Sequence, residues 1–230
     1  MDTPIIVLIV LTSVAVTSPL YGIIFGKKSI KYVQYITALS LLVSLVLLIS
    51  STLSLTPQES TVPHLLRNDT LGSFFSLMVI LVTLFVTITS FDYMKGNSNE
   101  NIYYSLLLFT AIGMTMLCFA VDLLVIFVAW ELMSLPTFIL AGYNKQDKLS
   151  NEAAVKFFIL GALSSGILLY GISLMFGITG STNLEIISQS LPTVSADMLP
   201  FIIFSTISML AGLGLKLSIV PFHMWIPDTY

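Results

Sequence analysis

The chain has 230 residues, of which 56% are hydrophobic and only 9% charged, with a formal net charge of −3 and a mean hydropathy of +0.98. Soluble domains carry about 25% charged residues, so a soluble fold is excluded, as is a membrane β-barrel, whose short alternating segments are absent. No basic patch points to nucleic acid, and the single cysteine, Cys118, provides neither an internal disulfide nor a metal site.

Apolar runs long enough to cross a hydrocarbon core of about 30 Å recur along the whole chain. They predict an all-α, polytopic transmembrane helix bundle in the lipid bilayer. Seven spans are expected, at about 4–25, 32–55, 71–91, 103–120, 122–143, 153–178 and 199–226. The first lacks the positively charged start of a signal peptide and is read as a retained span. Residues 103–143 contain only two charges, Asp122 and Glu131, but are too long for one span, so a tight turn is expected near Asp122. The segment 179–198 is too polar to span, and its "LEIIS" suggests a short surface helix. The organisation is therefore 1–120, holding four spans, and 121–230, holding the other three.

Lysine and arginine favour the cytoplasmic side of a membrane. With the N-terminus outside, the inner loops hold Lys27, Lys28, Lys31, Lys95, Lys145 and Lys148, and the outer loops hold only Arg67. The fifth span then runs inward, the sixth outward and the seventh inward.

Three ionisable residues fall within spans: Glu131, Lys156 and Lys216. Each costs about 2.5–3.5 kcal/mol on insertion scales and needs a partner or a wet cavity. At a rise of 1.5 Å per residue, Glu131 lies about 18 Å from the inner surface and Lys216 about 15 Å. Two opposite charges at one depth are expected to approach each other. They read either as a static ion pair or as a proton-handling pair. Burial and a neighbouring carboxylate act on a lysine in opposite directions, and a lysine held between them can gain and lose a proton. Lys156, about 6 Å deep, reads either as a lysine snorkelling to the interface or as part of the same set.

The seventh span has a second peculiarity. Gly212 and Gly214 precede the lysine and Pro221 follows it, which predicts a discontinuous helix between about Leu215 and Phe222. Broken helices at membrane depth are tolerated where they line a cavity and bind ions. His223 lies just beyond, a residue type that titrates near physiological pH. If helical geometry survives the proline, it shares a face with Lys216 at i, i+7. In the sixth span, Gly161, Ser165, Gly166 and Gly171 suit close helix packing. No CxxC, HExxH, P-loop or GxSxG pattern is present, and no cofactor or metal is expected in this chain.

The words "WELMSLPTFILAGY", "NEAAVKFFILGALSSGILLYGISLMFGITGSTNL" and "GLGLKLSIVPFHMWIPDTY" closely resemble the antiporter-like membrane subunits of respiratory complex I. The match is best to subunit N, the relative of mitochondrial subunit 2. It is strong over about 120–230, while over 1–100 only the span pattern agrees. The resemblance implies that Glu131 tunes the proton affinity of Lys216 on the broken seventh helix. It places Lys156 and His223 in the same chain of proton-carrying groups. It makes 121–230 the first half of a proton-translocating module. Quinone, flavin and iron–sulfur clusters are then expected in partner subunits, and a prokaryotic plasma membrane is expected rather than a mitochondrial inner membrane. The resemblance implies about fourteen spans in the whole subunit, including two inverted repeats of five. The expectation is thus that the chain is a fragment, or that a separate chain carries the second half.

Overall fold

The computed structural model of the chain describes residues 3–25, 30–53, 64–95 and 99–229. These residues form helices α1 (Thr3–Phe25), α2 (Ile30–Leu53), α3 (Thr70–Tyr93), α4 (Glu100–Phe119), α5 (Leu123–Ala141), α6 (Lys148–Thr179), α7 (Leu184–Ser190), α8 (Leu199–Lys216) and α9 (Ile226–Thr229). Seven of them, all but α7 and α9, are long and apolar enough to cross a membrane. The protein is a multi-pass membrane protein of all-α class. No strand longer than an isolated bridge occurs among the described residues.

The chain divides into two compact units, Met1–Ala120 and Val121–Tyr230. In the first, α4 packs on α1, α2 and α3, and α2 packs on α1 and α3. Its interior holds Leu11, Leu41, Ile80, Tyr104 and Leu108. A hydroxyl joins α4 to α1, where Ser105 donates to the Ala15 carbonyl at 2.6 Å.

In the second unit α6 is the central helix, with α5, α8 and α9 packed against it. The turn expected near Asp122 is present and has a clear cause. The extended Asp122 backbone leaves α5 needing an N-cap, and its carboxylate accepts from the Leu124 and Val125 amides at 2.8 and 3.2 Å. The same side chain accepts from the Thr182 hydroxyl at 2.6 Å, tying the start of α5 to the segment beyond α6.

Two span boundaries differ from expectation. The sixth helix begins at Lys148 rather than near 153, because Asp147 caps it and accepts from the Leu149 amide. The seventh ends at Lys216 rather than near 226, and the chain continues through turns to α9. Gly212 and Gly214 were expected to contribute to that break, yet both lie inside regular α8. The end is instead a Schellman cap. Ser218 sits in the left-handed region at φ 54°. The Ile219 amide donates to the Gly214 carbonyl at 2.9 Å and the Ser218 amide to the Leu215 carbonyl at 3.3 Å. Pro221, in a cis peptide with Val220, lies three residues further on.

Candidate functional site: a buried charge pair at a helix end

Glu131 stands near the middle of α5, and Lys216 is the last residue of α8. The Lys216 ammonium donates to Glu131 Oε1 at 2.5 Å, and the lysine side chain is only 4% exposed against 24% for the glutamate. The pair is thus a partly exposed carboxylate holding the end of a nearly buried lysine side chain. The Trp130 ring lies 6.0 Å from the same ammonium, a distance for cation–π attraction.

The backbone adds to this. Ending α8 at Lys216 puts the negative pole of the helix dipole beside the ammonium, a favourable place for a cation. A regular helix running on to Trp225 would have moved that pole more than two turns away.

Two helix packings bring the pair together. Gly161 of α6 lies under the Phe138 ring of α5, leaving no room for a side chain there. Between α6 and α8 the backbones approach at two glycines. A Cβ on Gly171 would meet the Met209 amide nitrogen at 2.8 Å, and one on Gly212 the Leu168 amide nitrogen at 2.8 Å. Gly166, expected to serve packing, has open space around it.

Ser165 belongs to the site as well. Its hydroxyl is 2.5 Å from Glu131 Oε1 and 2.9 Å from the Gly161 carbonyl. Sequence reasoning read Ser165 as a small packing residue, and nothing in its spacing distinguishes a hydroxyl aimed at a carboxylate from one aimed at its own helix.

The other sequence candidates lie elsewhere. Lys156 forms an i, i+4 ion pair with Glu152 at 2.8 Å, with its side chain 40% exposed. His223 is exposed in the turns after α8. The shared face proposed for Lys216 and His223 required a helix through Pro221, and α8 stops before it. The turn segment is instead held by Trp225, whose indole N–H donates to the Leu215 carbonyl at 3.2 Å while its ring stacks on Phe157 at 4.9 Å.

Residues 120–230 match the family described as NADH:quinone oxidoreductase/Mrp antiporter, transmembrane. The chain is 34% identical over 227 residues to F(420)H(2) dehydrogenase subunit N of Methanosarcina mazei, covering 96% of this chain and 46% of that protein. It is 42% identical over 164 residues to NADH-quinone oxidoreductase subunit N of Desulfitobacterium hafniense, covering 71% of this chain and 32% of that one. Its fold superposes on a chain of respiratory complex I from Thermus thermophilus with a TM-score of 0.75 and 29% identity, over 97% of this chain and 47% of that chain. The chain thus spans about half the length, or less, of the relatives it matches. On fold, on the residue 120–230 match and on these relatives together, the chain belongs to the antiporter-like membrane subunits of complex I-type oxidoreductases, and corresponds to the N-terminal half of a subunit N.

Proposed function

We propose that this chain contributes to proton translocation in a complex I-type oxidoreductase, driven by redox chemistry in other subunits. The observation that carries the reading is the Glu131–Lys216 pair, which joins the middle of one candidate membrane-spanning helix to the last residue of another. A buried ion pair is a weak source of stability, and an intramembrane ionisable pair is most economically read as functional. Residues 121–230 form the first half of the translocating module, and 1–120 the preceding helices. Lys156, with Glu152, and His223 serve the approach to the pair rather than the pair itself.

The partners are other membrane subunits, with a separate chain supplying the second half if the gene is split. Quinone, flavin and iron–sulfur clusters belong to those partners. The lysine-rich loops support an N-terminus on the outer face of a prokaryotic plasma membrane. A second reading, part of a stand-alone cation/proton antiporter, is favoured by the family description, which covers both kinds of protein.

The test is proton uptake by vesicles holding the intact complex, with NADH, reduced ferredoxin and reduced F420 supplied in turn as donor. Lys216→Met removes the titrating group, and Lys216→Arg keeps a charge that is never released. Both should abolish most of the donor-driven uptake. Full activity of the Arg variant would leave Lys216 a structural cation. Sodium-for-proton exchange without any donor would favour the antiporter reading.

A further inference from the structure

Resting on that proton-handling reading, we propose that Ser165 is a positioning residue of the site. Its hydroxyl turns between the Glu131 carboxylate and the Gly161 carbonyl as Glu131 loses and gains a proton.

A serine hydroxyl has one proton to donate. Here two acceptors compete for it, at 2.5 Å on α5 and at 2.9 Å one turn back on α6. Charge decides between them. A hydrogen bond to an ionised carboxylate is about twice as strong as one between neutral groups, so the hydroxyl faces Glu131 while that residue is charged. Neutralising Glu131 leaves two carbonyl-type acceptors. The carbonyl four residues back, which serines within helices commonly use, then takes the hydroxyl.

The two carboxylate oxygens are not equivalent. Lys216 Nζ and Ser165 Oγ both converge on Oε1. Among the described residues no hydrogen bond reaches Oε2, which leaves that oxygen to take the proton. No covalent bond of Ser165 changes during the cycle; only its hydroxyl torsion does.

The charged groups on the surrounding elements leave Ser165 the nearest neutral regulator. Lys216 at the end of α8 already holds Oε1. Asp122 before α5 is committed to capping. Lys148, Glu152 and Lys156 lie on α6, the nearest of them nine residues or about 14 Å back. His223 is exposed beyond α8.

The test uses infrared difference spectra of the intact complex in vesicles, taken between buffers of stepped pH. The signal is the protonated-carboxyl stretching band that Glu131→Gln removes. Ser165→Ala should leave the position of this band nearly unchanged, because the hydroxyl has turned to Gly161 when Glu131 is protonated, and should move its pH midpoint upward, because the charged carboxylate has lost a hydrogen bond. Ser165→Thr, which keeps the hydroxyl, should restore the wild-type midpoint. A role in packing alone gives the opposite order, with Ala like wild type and the bulkier Thr impaired, and would overturn the proposal. So would a pH midpoint indifferent to Ser165, which leaves the proton-handling reading intact. If Glu131→Gln removes no band at any pH, Glu131 does not titrate and the Ser165 proposal falls, while the proton-handling reading is decided separately by donor-driven uptake in the Lys216 variants.

Discussion

The Ser164 hydroxyl of α6 donates to the Gly212 carbonyl of α8 at 2.7 Å, one turn before Lys216. A second bond runs the other way, from the Ser205 hydroxyl of α8 to the Gly171 carbonyl of α6, at 2.8 Å. Seven residues forward along α6 correspond to seven back along α8, so the two bonds define one antiparallel register. That register sets the height at which Lys216 arrives beside Glu131.

Gly212→Ala should disturb this register. Its new Cβ would lie 2.7 Å from Leu168 Cβ and 2.8 Å from the Leu168 amide nitrogen, and backbone cannot step aside. Overpacking of this kind costs about 1–3 kcal/mol, against a gain of about 1 kcal/mol in helix propensity. Gly214→Ala meets only the edge of the Phe222 ring, at 3.3 Å. The expected outcome is a lower thermal midpoint and reduced proton uptake for Gly212→Ala, with Gly214→Ala close to wild type. Equal behaviour of the two in a thermal-shift assay of the purified complex would argue against register control.

Removing one member of the charge pair should destabilise more than removing both. Glu131→Gln leaves the Lys216 ammonium, on a side chain only 4% exposed, without its counter-charge. The Glu131→Gln/Lys216→Met double variant leaves no buried charge at this site. A double-mutant cycle on thermal or denaturant stability should give a coupling of about 0.5–3 kcal/mol. Donor-driven proton uptake should remain impaired in the double variant even where stability recovers. Recovery of uptake together with stability would mean that the pair serves only to hold the helices.

Trp225 should act as a latch on the segment after α8. Trp225→Phe loses the N–H bond to the Leu215 carbonyl but keeps a ring to stack on Phe157. About 0.5–1.5 kcal/mol is at stake for that bond, and Trp225→Ala should cost more because the stacking goes too. Amide hydrogen exchange at 217–220 and 222 should accelerate in the order wild type, Phe, Ala. Unchanged exchange in the Ala variant would show that the turn is held by other contacts.

Ser218→Gly should stabilise the break. A non-glycine residue in the left-handed region costs roughly 1 kcal/mol, and glycine is the common choice at this position of a Schellman cap. Ser218 occupies it at φ 54°. Ser218→Val should destabilise, because a β-branched side chain tolerates positive φ poorly. The comparison is again thermal, and a Val variant as stable as the Gly variant would contradict the cap.

Much of this protein is local physics and was legible along the chain. Apolar runs of membrane length place seven spans, since hydropathy and length do not depend on neighbours. Asp122 announces the turn between α4 and α5 because a short acidic side chain caps its own helix. Glu131 and Lys216 stand out in the sequence as opposite charges within apolar runs, but the depth counted for Lys216 assumed a helix running on to about 226, and α8 ends at Lys216. The details around them are not local. Gly212 looks like a helix breaker in sequence, but its partner is the Leu168 backbone on another helix, and only packing reveals that. Lys156 could be placed by depth, but its pairing with Glu152 depended on where α6 begins, and Asp147 decided that. The end of α8 depended on one residue, Ser218, adopting a backbone region that serine seldom visits. Ser165 acquires its second acceptor only when α5 and α6 meet at Gly161. Composition and periodicity determine which segments enter the membrane. The rotation and register of helices within the bundle are set by close approaches between distant residues, and those determine which oxygen Lys216 and Ser165 share.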